Sequence, residues 1–404
     1  MFCAFFLFLA VPSYGRDVAP ILERHCVGCH RPDEIGPMPL GSYTEVRPWA
    51  KAIREAVVKT KMPPWFADPH SVAFSNNPSL TDAEIATISA WVGAGAPEGS
   101  AGGGARTHVV HEGWNIGRPD AVWEMPKAFE VPASGELDYQ YIIVPTGLKQ
   151  DRWVQQVEIR PGNRAVVHHA VVYVREPGSA WLRGQALGEP FTMQGVTRND
   201  ILFTYTPGNS HDEWPPGMAK LIPAGSDLVF QMHYTPAKKV AHDQTRIGVR
   251  FAKEKPAKRV LTLQLNQDRL YIPPNTPDYR ASVSGTMPAA ATLLSLYPHM
   301  HLRGKQFEYT LNGKLLLRVN DYDFYWQLTY RLAAPLQLHA HDRLECTAVF
   351  DNSRNNPRNP DPDDFVRYGQ QSSDEMMIGF FDVAVAASLD KFEYFEQRRK
   401  QSMR

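Results

Sequence analysis

Short strand-like runs follow one another through about 300 of the 404 residues and constrain the fold more than any other feature. They alternate polar with apolar residues or are rich in β-branched residues, and glycine and proline separate them. The clearest are YQYIIV, WVQQVEI, VVHHAVVYV, LVFQMHY, TRIGVRF, TLLSLYPHMHL, RLECTAVF and MMIGFFDVAV. This length exceeds one β-sandwich. We therefore expect two, at 119–255 and 256–404, divided where the polar KEKPAK interrupts the strands.

Residues 16–99 have a different sequence pattern, which is typical of helices. Helical periodicity is present in WAKAIREAVVKT and in DAEIATISAWVGAG, which follows Thr81 as an N-cap and ends in glycine. The glycine-rich GSAGGG comes next, so 100–118 is predicted to be a flexible linker. The expected fold class is a multi-domain chain, with a small all-α domain followed by two all-β domains.

The charge and the N-terminus bear on partners and location. Lysine plus arginine equals aspartate plus glutamate at 43 each, which favours neither nucleic acid nor an anionic membrane surface as a partner. Residues 1–15 contain the apolar FCAFFLFLAV, with Ser13 and Gly15 as small residues before a signal-peptidase cut. A buried N-terminal helix or strand is the alternative, because a basic n-region is missing. We expect an exported, periplasmic or extracellular protein whose mature chain has no transmembrane segment.

One motif, Cys26-Val27-Gly28-Cys29-His30, carries specific chemistry. Two thiols at this spacing can form thioether bonds to haem, and the adjacent histidine can supply an axial nitrogen. A redox dithiol is the competing interpretation, but that motif usually lies in a βαβ context. The other two cysteines have no such pattern: Cys3 lies in the predicted signal, and Cys346 is interpreted as a buried apolar residue.

The sixth haem ligand is expected to be a thioether, because methionine raises the potential relative to a second histidine. Met62 in KMPPW is the candidate, since two prolines fix an extended loop around it. Met38 in GPMP is the rival. Residues 16–99 resemble the class I c-type cytochromes, which implies one covalent haem c.

A second set of candidates is spread through the strand-rich region. His299 and His301 are two residues apart, which in a strand places both rings on one face, within reach of one metal. His168 and His169 are adjacent, so joint ligation requires a bulge or twist. The other members are His233 and Met376.

Another pair with the same spacing, His339 and His341, is flanked by PLQL and DRLEC and is interpreted as a polar turn entering a strand.

Histidines with a thioether and no thiolate suit copper, whereas zinc more often recruits cysteine or carboxylate. The segments VVHHAVVYV, FQMHY, YPHMHLRG and SSDEMM, in this order, resemble the copper type II ascorbate-dependent monooxygenases, a family that includes peptidylglycine hydroxylating and dopamine β-type enzymes. This resemblance over about residues 119–386 implies two jelly-roll domains, each with one mononuclear copper, facing across a solvent cleft.

The resemblance also implies roles for the ligands. His168, His169 and His233 would hold the electron-delivery copper, and Gln231 would orient that site. His299, His301 and Met376 would form the catalytic site, where dioxygen binds and a substrate C–H bond is broken. Both sets are metal ligands in this interpretation.

Three positions depart from the peptidylglycine enzymes, which carry arginine, asparagine and tyrosine where this chain has Tyr297, Ile378 and Phe380. A substrate carboxylate would lose a charge-assisted anchor, so we expect that glycine-extended peptides are not the substrate. The family's disulfides are mostly missing as well, because only Cys346 remains in this region.

The function expected from the sequence is therefore an exported copper monooxygenase that acts on a small organic molecule with O2. Electrons from an external donor, a small reductant or a redox protein, would pass through the haem to the copper sites. Two alternatives stay open: a periplasmic electron-transfer or copper-binding protein without catalysis, and an oxidase that reduces dioxygen without hydroxylating a substrate.

Overall fold

A computed structural model describes residues 11–32, 34–99, 113–193 and 200–391. Among them, 11–65 and 77–99 form a helical unit, and 66–76 with 113–391 form a β unit. Cys3, most of the predicted signal and most of the predicted linker lie outside the described residues. None of the described helices has the length and apolar character needed to cross a bilayer.

The helical unit has four α-helices, a π-helical turn at Tyr14–Val18 and a 3-10 turn at Arg47–Trp49. The helices are α1 (Ala19–His25), α2 (Tyr43–Val46), α3 (Ala50–Val58) and α4 (Asp82–Gly93). A capping box formed by Thr81 and Glu84 starts α4, as the sequence predicts. The core of the unit lies around Leu22, Ile88 and Trp91.

The fold-class prediction is wrong for this part of the chain, which is not a small all-α cytochrome domain. Its helices have only 7, 4, 9 and 12 residues, and irregular backbone occupies most of 26–42 and 59–80. The cause is local, because these stretches contain the residues that end helices. They are Gly28, Pro32, Gly36, Pro37, Pro39, Gly41, Pro63, Pro64, Pro69 and Pro78. Strand residues outnumber helical residues several-fold in the described part of the chain.

The predicted cleavage position also meets a structural objection. Tyr14 is buried and its ring packs 5.4 Å from that of Tyr43 and 6.3 Å from that of Trp91. Its backbone nitrogen donates to the carbonyl of Pro97, 3.0 Å away. A cut after Gly15 would therefore remove a core residue.

The β unit contains twenty-two described strands. In chain order they are β1 (Ala121–Glu124), β2 (Phe129–Val131), β3 (Gln140–Pro145), β4 (Arg152–Arg160), β5 (Val167–Arg175), β6 (Phe191–Thr192), β7 (Asp200–Tyr205), β8 (His211–Glu213), β9 (Met218–Ile222), β10 (Asp227–Tyr234), β11 (Ala241–Asp243), β12 (Arg246–Phe251), β13 (Lys258–Asn266), β14 (Tyr271–Ile272), β15 (Thr276–Thr286), β16 (Ala291–His299), β17 (Gly304–Leu311), β18 (Lys314–Val319), β19 (Tyr330–Leu338), β20 (Arg343–Asn352), β21 (Val366–Arg367) and β22 (Ile378–Ala386). Each of the eight predicted runs overlaps a strand.

Three sheets make the two halves of this unit. A nine-stranded sheet has the order β1-β12-β4-β9-β13-β22-β16-β19, with β8 beside β4. A five-stranded sheet, β6-β3-β10-β5-β7, packs on its first half through side chains that include Val157, Ile247, Val172 and Phe230. A four-stranded sheet, β15-β20-β17-β18, accompanies the second half.

We call β1–β12 the first half of the β unit and β13–β22 the second half. The predicted boundary falls between them, since β12 ends at Phe251 and β13 begins at Lys258. They are nevertheless not separate sandwiches. Parallel pairing of β13 with β9 carries one sheet across both halves, with Lys258 opposite Met218 and Arg259 opposite Ala219.

Candidate metal centre

The first three histidines meet because β5 has a bulge. His233 on β10 lies opposite His169 on β5, but the next residue, Tyr234, lies opposite Val167. His168 is therefore the extra residue on the bulged strand. A bulge reorients side chains, so His168 joins His169 instead of pointing to the opposite face. The sequence requires this irregularity for joint ligation, and the structure has it.

The Nδ1 atoms of these three rings converge. His169 Nδ1 lies 3.1 Å from His168 Nδ1 and 3.4 Å from His233 Nδ1, and the three ligand atoms all lie within 4.8 Å of one another. The outer nitrogen of His168, Nε2, lies 3.2 Å from the carbonyl oxygen of Phe324. A carbonyl can only accept, so Nε2 carries the proton and Nδ1 offers a lone pair inward. Adjacent lone pairs repel unless a proton or cation lies between them.

His299 and His301 form the second group. His299 ends β16, and its ring centroid lies 5.2 Å from that of His301. His299 Nδ1 lies 2.6 Å from the side-chain oxygen of Gln327, which leaves its Nε2 for a ligand. Both ring nitrogens of His301 are buried and have no close hydrogen-bond partner in the described part of the chain, although the backbone at Asp374 and Gln371 interacts with the ring and partly offsets the lowering of its pKa. Such orphaned nitrogens are rare in proteins and fit a site that binds a metal.

A buried carboxylate joins the backbone of Met376 to that of His301. The Glu375 side chain is fully buried and accepts hydrogen bonds from the backbone nitrogens of His301, Arg303 and Met376. His301 and Met376 donate to the same oxygen, so their backbones lie close together. Three backbone donors hold this side chain, so Glu375 acts as a group that positions the backbones of His301, Arg303 and Met376.

The two groups are closer than the family resemblance implies. The ring centroids of His169 and His299 are 5.9 Å apart, and Phe324 packs against both His168, at 4.1 Å, and His301, at 6.2 Å. All five histidines are buried. The two groups therefore adjoin each other inside the β unit and both are buried, whereas the resemblance implied pockets that face each other across a solvent cleft.

Burial also sets the charge of these rings. It lowers the pKa of His168 and of His299 to about 4. Burial and the neighbouring imidazoles lower the pKa values of His169, His233 and His301 well below the usual range. Each ring is therefore neutral at pH 7, which is the form that binds a metal.

Gln231 does not contact the histidines as the resemblance suggests. Its side chain bonds to two tyrosines, donating to Tyr141 and accepting from Tyr173 at 3.2 Å.

The departures from the family pattern are apolar contacts. Tyr297 and Phe380 stack with ring centroids 5.6 Å apart, and Ile378 lies opposite His299.

The second pair of spaced histidines lies apart from the cluster. His339 and His341 occupy an exposed turn between β19 and β20, where His339 faces Asp342 at 3.5 Å. This is the polar turn that the sequence indicates.

The CVGCH motif follows α1 in the helical unit. Cys26 and Cys29 are free thiols, and burial raises the pKa of Cys26 to about 12. His30 Nδ1 lies 3.1 Å from the carbonyl oxygen of Met38, which fixes the proton on Nδ1 and leaves Nε2 for an axial bond. The Met38 backbone is thus behind the ring, on the side away from Nε2. Met62, the predicted sixth ligand, is half-buried.

Three residues that sequence reasoning missed are Phe324, Gln327 and Glu375. Glu375 immediately precedes Met376, so its place next to a predicted ligand could have marked it as part of the site. No periodicity or spacing marks Phe324 or Gln327, which lie in the segment between β18 and β19.

Comparison with known proteins gives no functional assignment. No family model matches the chain, and no curated protein matches it. Solved structures with some likeness include the major capsid protein P2 from bacteriophage PM2, at 9% identity and a TM-score of 0.30, covering 67% of this chain and 99% of that one. The STIV MCP has 9% identity and a TM-score of 0.29, with 68% of this chain and 98% of that chain covered. PNGase F has 9% identity and a TM-score of 0.28, with 67% of this chain and 97% of that chain covered. TM-scores this low assign neither fold nor function to the chain.

Proposed function

We propose that the β unit is a copper-dependent monooxygenase that hydroxylates a C–H bond of an organic substrate with O2. The observation that carries the proposal is the buried cluster of five neutral imidazoles, three with converging Nδ1 atoms and one with no close hydrogen-bond partner at either nitrogen in the described part of the chain. A neutral imidazole has a single N–H, so a proton on His169 Nδ1 can serve one of its two Nδ1 neighbours, whereas a bound cation would accept the lone pairs of all three rings.

The donor set favours copper over zinc. His168, His169 and His233 would hold one ion, and His299, His301 and the thioether of Met376 would hold the other. The nearby carboxylate of Glu375 is occupied by three backbone donors. Imidazole and thioether without thiolate or carboxylate suit copper in both oxidation states. Copper bound there supplies one-electron chemistry and dioxygen activation.

The chain's own residues prepare the site in three ways. Burial of all five rings excludes water, which limits uncoupled loss of reducing equivalents. The Phe324 carbonyl and the Gln327 side chain fix the protons of His168 and His299 on the outer nitrogens. Tyr297 and Phe380 give the neighbouring surface an apolar character, so we propose a substrate without a carboxylate anchor.

A covalent haem c at Cys26 and Cys29, with His30 and Met62 as axial ligands, is the second part of the proposal. The outward-facing Nε2 of His30 supports it. Haem bound there supplies single electrons, and an external reductant is the proposed source. Export from the cytoplasm belongs to the same proposal. A pyridine haemochrome spectrum of the purified protein detects the thioether-linked haem, and its absence refutes this part alone.

Metal analysis tests the copper sites. We expect two copper ions per chain after reconstitution, and about one in a His168→Ala/His233→Ala variant or in a His299→Ala/His301→Ala variant. The matched control is His339→Ala/His341→Ala, which removes an exposed pair with the same spacing and is expected to keep both ions. A protein that binds no copper, or a control that loses as much as the site variants, contradicts the proposal.

Product-coupled oxygen uptake separates hydroxylation from its alternatives. Copper-loaded protein with ascorbate is supplied with candidate substrates, and both O2 consumption and hydroxylated product are measured. Uptake matched by product supports the monooxygenase. Uptake without product indicates an oxidase, and no uptake indicates a carrier, and either result rejects the proposed reaction.

A further inference from the structure

The segment between β18 and β19 contacts histidines of both groups. We call residues 323–329 the bridging loop. Phe324 and Gln327 in this loop are buried, with Gln327 only 1% exposed. A buried amide must find partners for its oxygen and its nitrogen, and the partners of Gln327 show what the loop does.

Gln327 joins the two groups through its side-chain amide. Its oxygen lies 2.6 Å from His299 Nδ1, and its Nε2 donates to the Phe324 carbonyl at 3.1 Å. The carbonyl can only accept, so the amide nitrogen must face it and the amide oxygen must face the imidazole. His299 Nδ1 is therefore the protonated nitrogen, and Nε2 has the free lone pair.

The Phe324 carbonyl extends the connection to the other group. It also accepts from His168 Nε2 at 3.2 Å, while the Phe324 ring stacks on the His168 ring at 4.1 Å and 19°. One unbroken series of hydrogen bonds thus runs from His168 through the Phe324 carbonyl and the Gln327 amide to His299. Each end of the series is a ring whose inward nitrogen is left unprotonated.

Residues of the first half of the β unit bind and pack against the bridging loop. Thr206, which follows β7, donates to the Gln327 carbonyl at 2.6 Å. Gly208 has a φ of +81°, and a Cβ there would lie 3.1 Å from Leu328 and 3.2 Å from Trp326. The absence of a side chain at Gly208 allows the loop to pack this closely.

We propose that Gln327 is a positioning residue that couples the two metal pockets, holding the ligand tautomers of His299 directly and of His168 through the Phe324 carbonyl. This inference rests on the proposed copper function. Outer-shell partners of metal-binding histidines typically change metal affinity by about 10- to 100-fold when they are replaced. Replacing Gln327 should therefore affect both pockets, although it contacts a ligand of only one.

Two substitutions separate its two hydrogen bonds. Gln327→Leu removes both of them. Gln327→Glu keeps an oxygen toward His299 Nδ1 but loses the donor to the Phe324 carbonyl. The control is Gln337→Leu, which makes the same chemical change on β19, where the side chain is exposed and bonds to Thr292.

The first readout needs no metal. With 15N-labelled histidine, NMR of the metal-free protein reports which nitrogen of each ring carries the proton. We expect protonated Nδ1 in His299 and protonated Nε2 in His168. Gln327→Leu is expected to release His299 into a mixture of tautomers, while Gln327→Glu and the control keep it fixed. A His299 ring protonated on Nε2 in the unsubstituted protein overturns the inference.

The second readout is copper affinity, measured by competition with a chelator in two backgrounds. His233→Ala leaves only the His299 pocket intact, and His301→Ala leaves only the His168 pocket. We expect Gln327→Leu to weaken the His299 pocket by about 10- to 100-fold and Gln327→Glu to restore it. We expect both substitutions to weaken the His168 pocket, because both remove the donor to the Phe324 carbonyl.

The outcomes are distinguishable. A protein that binds no copper overturns the proposed function and the coupling with it. Two bound coppers whose affinities are unchanged in both variants overturn only the coupling. Thermal melts identify a variant that fails to fold. If Gln327→Leu fails to fold, the copper affinity of the His168 pocket in Gln327→Glu tests the coupling: a weaker affinity supports it, and an unchanged affinity overturns it.

Discussion

Acidifying the metal-free protein should unfold it well above the pH at which its carboxylates titrate. Burial lowers the pKa of His168 and of His299 to about 4, and His169, His233 and His301 shift in the same direction. In the unfolded chain each imidazole has a pKa of about 6.5. Between these values the unfolded state binds more protons than the folded state, so the free energy of unfolding decreases as the pH falls.

The magnitude follows from the number of rings. Each histidine that is protonated only in the unfolded state contributes about 1.36 kcal/mol per pH unit. His168 and His299 alone should therefore cost about 2 kcal/mol each between pH 6.5 and pH 5. All five would give a slope of about 7 kcal/mol per pH unit, and Glu375, whose pKa burial raises to about 7, would offset about 1.4 kcal/mol per pH unit of it. Since domains are stable by about 5 to 15 kcal/mol, the β unit is expected to unfold between pH 6 and pH 5.

Urea unfolding of chelator-stripped protein at pH 7, 6.5, 6 and 5.5 measures this slope. A His168→Phe variant keeps an aromatic ring against Phe324 and should reduce the slope by about 1.4 kcal/mol per pH unit. His339→Ala, at an exposed position, should leave it unchanged. A slope smaller than that of one histidine would show that the cluster is hydrated or already protonated when folded, and would refute the argument from burial.

Three further substitutions test other parts of the structure. Gly379→Ala places a Cβ against Cys346 Sγ and 3.1 Å from the Tyr309 ring, so thermal melts should show a loss of about 1–3 kcal/mol, and adding Cys346→Ala should recover part of it. Met376→Leu keeps the apolar volume at a cost below about 1.5 kcal/mol but removes the thioether, so chelator competition should show weaker copper(I) binding with copper(II) binding little changed. Thr81→Ala removes the N-cap of α4 and should destabilise the helical unit by about 1 kcal/mol in urea unfolding, whereas Thr87→Ala, within the same helix, should have a smaller effect.

Local rules predicted the elements of the β unit because their signals are local. Alternation and β-branched residues marked β5, β10 and β16, and KEKPAK marked the change from one half to the other. The adjacent pair His168 and His169 even indicated where a bulge was needed. What the sequence could not supply was the partner register, because His233 lies opposite His169 only after strands far apart in the chain have paired.

The N-terminal prediction failed for the opposite reason. The two helical segments were identified correctly at α3 and α4, but the prediction extended their helical character over all of residues 16–99, including stretches rich in proline and glycine. Pro37, Pro39, Pro63 and Pro64 lack the backbone N–H that a helix interior needs, so these stretches are irregular and not helical. The segment 66–76 groups with the β unit, and nothing in its pattern indicated that.

The closeness of the two histidine groups has its origin in the sheet that both halves share. Only two residue pairs join β9 to β13, but Lys220 on β9 also donates to Thr262 on β13 at 2.7 Å, and Trp214 packs under the same amine at 5.0 Å. Relative motion of the halves would break these buried bonds as well as those of the bridging loop. Because buried polar groups are costly to leave unpaired, we infer that the shared sheet and the loop together set the distance between the two histidine groups. A sequence motif lists ligands, but this distance arises from packing between residues that no motif includes.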